Sequence, residues 1–133
     1  MTALRRPRLG LAVLATATFL AGGPAFADGD PAAGKKAFRK CGACHTVQAG
    51  KNRVGPSLAG IADRKAGGVE GFKYSKAMLE FGAGGGVWDA ATLDAYLADP
   101  RGFIKGNKMA FPGLKDAQER ADVIAYLKAA DGE

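Results

Sequence analysis

Both cysteines and the only histidine of this 133-residue chain lie within five consecutive positions, in the segment Cys41-Gly42-Ala43-Cys44-His45. Two thiols at this spacing can add to the two vinyl groups of a haem, and an imidazole directly after them can reach the iron. The segment therefore predicts covalent attachment of a c-type haem.

Three other chemistries fit part of this segment. A structural zinc site normally takes four Cys or His ligands, and the chain offers three. A dithiol redox motif shares the cysteine spacing, but it usually opens a helix within a βαβ pattern, and no β-rich run flanks the segment. A disulfide between Cys41 and Cys44 gives no reason for the histidine that follows. Haem attachment explains all three side chains together.

The iron of such a haem needs a second axial ligand, and two methionines after the motif are good candidates. Met109 lies in the segment 101–112, which lacks helical periodicity and is bounded by Pro100 and Pro112, so a loop can turn its thioether across a flat ring. Met78 lies in an apolar stretch where core packing is the usual fate of a methionine. The pattern favours Met109, although packing would explain either residue.

Helical periodicity at both ends of the domain predicts the elements that position these groups. Asp30 is a cap for a first helix, whose apolar positions lead to Cys41. Asp116 and Glu119 form a cap pair for the last helix, and Leu127 belongs to its apolar stripe. The first helix is therefore expected to deliver the first cysteine of the motif.

Two further helices are predicted between them, over about 89–98 and about 76–81. Pro100 prevents continuation of the first of these. Gly-rich connections, notably 82–86, link the elements, and no stretch alternates convincingly as a half-buried strand would. The sequence thus predicts an all-α domain with long loops.

The N-terminus has the order of a secretory signal peptide. Three arginines, an apolar run over 9–21 and small residues ending at Ala27 follow one another, so cleavage is expected between Ala27 and Asp28. A retained membrane anchor is the alternative, but the run is shorter than the roughly 20 apolar residues that span a bilayer. We therefore predict a signal peptide at 1–27, one domain at 28–133, and a periplasmic location.

The mature chain is only mildly basic. Three of the 19 Lys and Arg residues lie in the leader and all 13 acidic residues follow it, so cleavage lowers the formal net charge from +6 to +3. Nucleic-acid binding is not expected, because the basic residues are scattered and lack an interleaved aromatic stripe. They favour a docking face for an acidic protein partner, or else form an ordinary solvated surface. Those near the suspected ligands are Lys35, Lys36, Lys40, Lys51, Arg53, Lys105, Lys108 and Lys115.

From about residue 30 to 130 the chain resembles the class I c-type cytochromes, close to mitochondrial cytochrome c and the bacterial cytochrome c-two group. The matching features occur in the same order and at similar spacing: Gly34, Phe38, the segment 41–46, Gly55-Pro56-Ser57-Leu58, the segment 71–74, Trp88, the segment 96–100, Lys108-Met109, and the segment 119–127. The resemblance implies the all-α class I cytochrome c fold, with the first and last helices crossing at Gly34 and loops wrapping one covalent haem c.

The resemblance also implies roles for individual residues. Cys41 and Cys44 would carry the thioether links, His45 and Met109 would be the axial ligands, and the Pro56 carbonyl would bond the His45 ring. The other implied contacts are Arg64, Tyr74 and Trp88 with the haem propionates, Tyr96 with the methionine sulfur, Asn107 with the methionine loop, and Phe111 with the exposed haem edge.

Two features depart from the family pattern. Met78 stands roughly where mitochondrial relatives have a polar residue buried beside the haem, and 82–86 lengthens a connection. The lysine ring is also thinner than in the mitochondrial protein. These departures concern the tuning of the reduction potential and the choice of partner.

The function that the resemblance implies is electron transfer, without enzymatic activity. A soluble monomer would cycle haem c between ferrous and ferric iron in a respiratory or photosynthetic chain. Its partners would be membrane complexes, such as a cytochrome bc complex as donor and a terminal oxidase or photosynthetic reaction centre as acceptor. Two alternatives are a haem enzyme or ligand sensor, which needs an open sixth site, and a haem subunit of a larger dehydrogenase or oxidase.

Overall fold

Helices account for the regular structure of residues 28–130, the part of the chain that this computed structural model describes. The predicted signal peptide lies outside the described residues. The elements are α1 (Pro31–Ala37), a 3₁₀ helix (Phe38–Lys40), α2 (Lys76–Ala83), α3 (Ala90–Ala98), α4 (Pro100–Phe103) and α5 (Ala117–Ala130). No strand occurs within 28–130 beyond an isolated antiparallel bridge between Lys65 and Val87. The all-α prediction is confirmed.

No helix among the described residues is both long and apolar enough to cross a membrane.

Helix α1 begins at the predicted cap and leads to the first cysteine. The Asp30 side chain accepts a hydrogen bond from the Ala32 N–H at 2.8 Å, which satisfies a donor that a helix start leaves open. Directly after Ala37 the chain tightens to the 3₁₀ form, and the Cys41 N–H donates to the Phe38 carbonyl at 2.8 Å. The motif therefore starts directly at a rigid element.

A glycine permits α1 to cross α5 closely. A Cβ atom built on Gly34 would collide with the backbone carbonyl oxygen of Asp122 in α5. Beside this crossing the Phe38 and Tyr126 rings lie 5.3 Å apart, centre to centre. Phe38 and Leu127 are both part of the buried core. The crossing of the first and last helices is as predicted.

The two middle helices also start at side-chain caps. The Ser75 hydroxyl accepts from the Met78 N–H at 3.1 Å, and the Asp89 carboxylate accepts from the Thr92 N–H at 2.7 Å. Helix α2 continues to Ala83, two residues beyond its predicted end. Both helices lie next to the core and present buried side chains to it.

The boundary predicted at Pro100 is correct for α3 but misses the short helix α4. Pro100 is the first residue of α4, a position where the missing N–H costs nothing. The Asp99 carboxylate caps it by accepting from the Gly102 N–H at 3.0 Å. Four residues are too few to show helical periodicity. After α4 the chain runs through a loop, residues 104–116, that we call the methionine loop because it carries Met109.

Candidate functional site

A cavity of about 380 Å³ brings all of the predicted site residues together. Its lining is mostly apolar carbon and comes from the motif, the loop after it, α2, α3, the methionine loop and α5. The predicted residues that line it are Cys41, Cys44, His45, Pro56, Arg64, Tyr74, Trp88, Tyr96, Asn107, Met109 and Phe111. Residues that are far apart in the sequence therefore meet around one space.

The segment 41–45 forms a single helical turn on one side of this cavity. The N–H groups of Cys44 and His45 both donate to the Cys41 carbonyl, at 3.0 and 2.9 Å. Cys41 is partly buried, whereas Cys44 is exposed. Burial, and next the Glu119 carboxylate, raise the pKa of the Cys41 thiol. One turn of backbone thus holds two thiols and an imidazole along one wall.

The His45 ring is fixed in the form that a metal ligand needs. Its Nδ1 lies 2.8 Å from the Pro56 carbonyl oxygen, and since a carbonyl only accepts, Nδ1 carries the proton and donates it. Burial lowers the pKa of His45, against the smaller opposite effect of this hydrogen bond, so the ring is neutral at neutral pH. The Nε2 lone pair is then available to iron.

Gly55 makes room for this ring. A Cβ atom at position 55 would collide with the His45 imidazole. The Gly55 N–H also donates to the Cys44 carbonyl at 2.8 Å, which ties the loop to the motif. The absence of a side chain therefore sets how closely the Pro56 carbonyl can approach His45.

Met109 lies against Tyr96 in the same cavity. The Tyr96 hydroxyl donates to the Met109 sulfur at 3.8 Å. Burial raises the pKa of Tyr96 to about 12, so the hydroxyl keeps its proton near neutral pH. The contact holds the thioether in one position without using up its capacity to bind a metal.

Asn107 supports the backbone on either side of Met109. Its side-chain oxygen accepts from the Met109 N–H at 2.8 Å, and its amide nitrogen donates to the carbonyls of Pro100 and Ile104 at 2.5 and 2.9 Å. One amide thus satisfies three backbone groups that would otherwise be open in this loop. This role agrees with the support that the resemblance implies for Asn107.

Arg64, Tyr74 and Trp88 contribute polar groups to a mostly apolar lining. The Arg64 guanidinium donates to two backbone carbonyls, at 2.7 and 3.1 Å. The Tyr74 hydroxyl accepts a backbone N–H at 3.3 Å. Trp88 is buried and its ring lies 4.8 Å from that of Tyr96. A permanently charged guanidinium and two further donor groups suit carboxylates such as haem propionates.

The structure adds lining residues that the sequence reasoning did not assign. Most are apolar side chains of helices and loops, whose only sequence signal is ordinary core periodicity. They are Val54, Leu58, Ile61, Phe72, Leu93, Leu97, Ala110 and Leu127, with Lys40, Gly55, Ser75 and Lys108 as polar or small members. Met78 is part of the buried core, as expected, and it also lines the cavity.

This donor set fits a covalently bound haem. Two thiols and a neutral imidazole occupy one wall, a thioether lies in the lining contributed by the methionine loop, and apolar side chains fill most of the space between. No cluster of three or more His, Cys, Asp or Glu side chains that could hold a metal ion occurs within 28–130.

Comparison with known proteins gives consistent matches. The sequence profile of a family described as "Cytochrome c" matches residues 31–131. A cytochrome c2 iso-2 from Magnetospirillum fulvum is 57% identical over 93 residues, which are 70% of this chain and 94% of that protein. A cytochrome c2 from Rhodomicrobium vannielii is 41% identical over 134 residues and spans the whole of both chains.

Two solved structures have the same fold. Cytochrome cH from Methylobacterium extorquens superposes with a TM-score of 0.70 at 47% identity, over 76% of this chain and 99% of that one. Cytochrome c2 from Rhodospirillum centenum superposes with a TM-score of 0.73 at 43% identity, over 76% of this chain and 98% of that one.

Proposed function

The chain belongs to the cytochrome c family, and on that premise we propose that it is a periplasmic electron carrier with His45 and Met109 as the axial ligands of its iron. Family membership makes it a class I c-type cytochrome of the c2 group, a haem c protein that carries electrons. Cys41 and Cys44 are its two cysteines and have the spacing of the attachment motif. One haem c per chain, bound through both, follows from this.

One observation carries the assignment of the ligands. His45 and Met109, which are remote in sequence, line the same cavity, and each is held by a hydrogen bond that leaves its metal-binding atom usable. His45 donates from Nδ1 and keeps Nε2, whereas the Met109 sulfur accepts one hydrogen bond and retains a lone pair. This pairing supports six-coordinate iron with nitrogen and sulfur as axial atoms.

The residues of this chain define how the site works. A bound haem c supplies one iron that gains or loses a single electron. Hydrogen bonds with Pro56, Tyr96 and Asn107 hold His45 and Met109 in place, so few protein atoms need to move when the charge of the iron changes. The apolar lining excludes water and disfavours the more charged ferric state, which raises the reduction potential.

The ligands are tested by replacing each lining methionine in turn. We expect ferric wild-type protein to show the long-wavelength charge-transfer band of a thioether bound to iron, and Met109→Leu to lose it. Met78→Leu is the matched control, because Met78 lines the same cavity and should leave the band in place. A five-coordinate, high-spin ferric wild-type protein, or a Met109→Leu variant that keeps the band, would refute the ligand assignment.

A basic rim is the proposed docking face for the partners. Lys40 and Lys108 line the cavity directly, and Arg53 is tied to the motif by donating to the Gly42 carbonyl at 2.6 Å. Positive charge around an electron-transfer site steers an acidic partner and gives short-lived complexes at moderate salt. We propose membrane complexes as partners, with a cytochrome bc complex as donor and a terminal oxidase or reaction centre as acceptor.

The location is tested on the mature protein. Covalent haem attachment and the residue order of the leader both support export before use, with processing after Ala27. Intact mass and N-terminal sequencing of protein from the periplasmic fraction should give a chain that starts at Asp28 and carries one haem. Recovery of an unprocessed chain from the membrane fraction would contradict the proposal.

A further inference from the structure

We propose that Arg120 of α5 and Asp94 of α3 form a latch that positions Met109 by closing the far end of the methionine loop. The inference rests on the proposed ligation by Met109 and assigns a positioning role to two residues outside the cavity lining. Neither side chain touches the cavity, so the latch acts only through the backbone between Leu114 and Met109.

The Arg120 guanidinium joins three separate parts of the fold. Its Nε donates to the Asp94 carboxylate at 2.7 Å, and its Nη1 donates to the carbonyls of Leu114 and Lys115 at 2.9 and 3.1 Å. Only 13% of the Arg120 side chain is exposed. A planar guanidinium with five donors can make these bonds at once, whereas a lysine ammonium lacks the fork geometry.

Other contacts fix the methionine loop at two points. Near Met109 its backbone is held by Asn107. Further along, the Leu114 N–H donates to the Leu97 carbonyl of α3 at 2.7 Å. Gly113 packs so tightly on the Ala98 carbonyl that a Cβ atom there would collide with it. These contacts hold residues 113 and 114 against the end of α3, and Arg120 ties the adjacent carbonyls of Leu114 and Lys115 to α5.

The ion pair between Arg120 and Asp94 is placed to resist opening of the methionine loop. Asp94 holds the guanidinium from α3 in the orientation in which it donates to the loop carbonyls. Bonds to a charged group that is mostly shielded from water are stronger than exposed surface pairs. Loss of the guanidinium should therefore raise the fraction of open loop about tenfold, which corresponds to about 1.4 kcal/mol.

The test measures how fast an external ligand replaces Met109. Imidazole is added to ferric holoprotein, because a neutral probe is not biased by the charge of the variants. Arg120→Gln should bind imidazole about ten times faster than wild type if loop opening limits the rate. Asp94→Asn keeps the guanidinium but loses its fixed partner, and should give a smaller increase.

Asp122→Asn is the matched control. Like Arg120, Asp122 is a charged residue of α5 that bonds to another segment, since its carboxylate accepts from the Asp30 N–H at 2.8 Å. Unlike Arg120, it forms no hydrogen bond with the methionine loop. This variant should bind imidazole at the wild-type rate. An equal rate increase in Asp122→Asn and Arg120→Gln would overturn the latch, because general loosening of α5 would then explain both.

Hydrogen exchange at the Leu114 amide gives a readout that does not depend on the ligand. Arg120→Gln should speed exchange at Leu114 about tenfold, while Asp122→Asn leaves it unchanged. If wild-type protein lacks the thioether band, the proposed ligation by Met109 fails, but the exchange rate at Leu114 still tests whether the latch holds the loop closed. If the band is present and Arg120→Gln changes neither imidazole binding nor exchange, the latch is wrong and the proposed function stands.

Discussion

His45 and Met109 are positioned by very different means. His45 is held locally, one residue after Cys44 in a helical turn, so the sequence alone predicts its place beside the cysteines. Met109 depends on groups from α3 and from its own loop. Without the resemblance, the sequence pattern only favoured Met109 over Met78 as the second ligand. The contact between Met109 and Tyr96 was expected from the resemblance, because residue spacing cannot fix where the Tyr96 hydroxyl lies.

The Tyr96 hydroxyl should tune the reduction potential. A hydrogen bond to the Met109 sulfur draws electron density from it and, under the proposed ligation, would make it a poorer donor to ferric iron. Tyr96→Phe should therefore lower the potential, by about 20 mV if the bond is worth roughly 0.5 kcal/mol. Spectroelectrochemical titration of both proteins measures this. A higher potential in the variant would contradict the proposed direction.

The Asn107 amide should matter for ligand retention as well as for stability. Asn107→Ala leaves the Met109 N–H and two carbonyls without their bonds, at a cost of about 1 to 3 kcal/mol in the free energy of unfolding. Urea unfolding measures that cost, and imidazole binding should become tighter in the variant. Asn52→Ala is the comparison, since Asn52 also accepts a backbone N–H, from Ser57, but outside the methionine loop. Equal effects of both variants on imidazole binding would argue against a specific role.

The helices show which parts of the fold the sequence can predict. The start of α1 was readable because Asp30 acts as the expected cap and accepts the Ala32 N–H. Asp89 caps α3 in the same way, although it was not predicted as a cap. Ser75 caps α2 without having been singled out. Helix α4 was missed, since four residues carry no periodic signal and its stability comes from Asp99 and the neighbouring α3. The methionine loop is equally unreadable, because its shape depends on bonds to other elements.

The crossing of α1 and α5 should tolerate no side chain at position 34. Gly34→Ala places a methyl group against the Asp122 carbonyl, and we expect it to lower the free energy of unfolding by more than about 2 kcal/mol. In Gly42→Ala the added Cβ would meet only carbonyl oxygens at 3.7 Å, an ordinary contact, so the change should stay below about 1 kcal/mol. Urea denaturation of the two holoproteins compares them, and equal stabilities would count against the close crossing.

The link between α5 and the start of α1 should weaken in acid. The Asp30 backbone N–H, and next the Gln118 side chain, hold the pKa of Asp122 below its usual value. A lowered folded pKa means that its stabilisation is present above the unfolded pKa of about 3.9 and is lost as the pH falls through the folded value. Asp122→Asn should thus be less stable than wild type at neutral pH, and the difference should shrink as the pH falls through the folded pKa of Asp122. A stability difference that persists unchanged in acid would contradict this linkage.

At the scale of the whole molecule, the cavity is the feature that the sequence located best. Every predicted site residue lines it, because the motif and the resemblance together identified residues from well-separated parts of the chain. The apolar wall between them could not be assigned residue by residue, since its members look like any other core position. Val54 differs from the others, because it lines the cavity and is nonetheless 80% exposed.

The basic rim around the cavity should control how fast the protein transfers electrons to membrane complexes. Lys108 lines the cavity, whereas Lys128 lies in the last turn of α5 and is absent from that lining. Lys108→Glu should slow electron transfer several-fold at low ionic strength, and Lys128→Glu, with the same change in net charge, should slow it much less. The difference should shrink as salt rises and screens the rim. Stopped-flow oxidation by isolated membranes measures these rates, and equal slowing by both variants would show an effect of net charge alone.

Carbon monoxide binding to the ferrous protein tests the central claim most directly, because a carrier keeps both axial positions filled and an enzyme or sensor leaves one open. If Met109 closes the second position, the absorption spectrum of reduced wild-type protein should stay unchanged under carbon monoxide, while reduced Met109→Leu should convert rapidly to the carbon monoxide complex. Rapid conversion of the wild-type protein would contradict a closed site and favour ligand binding over electron transfer.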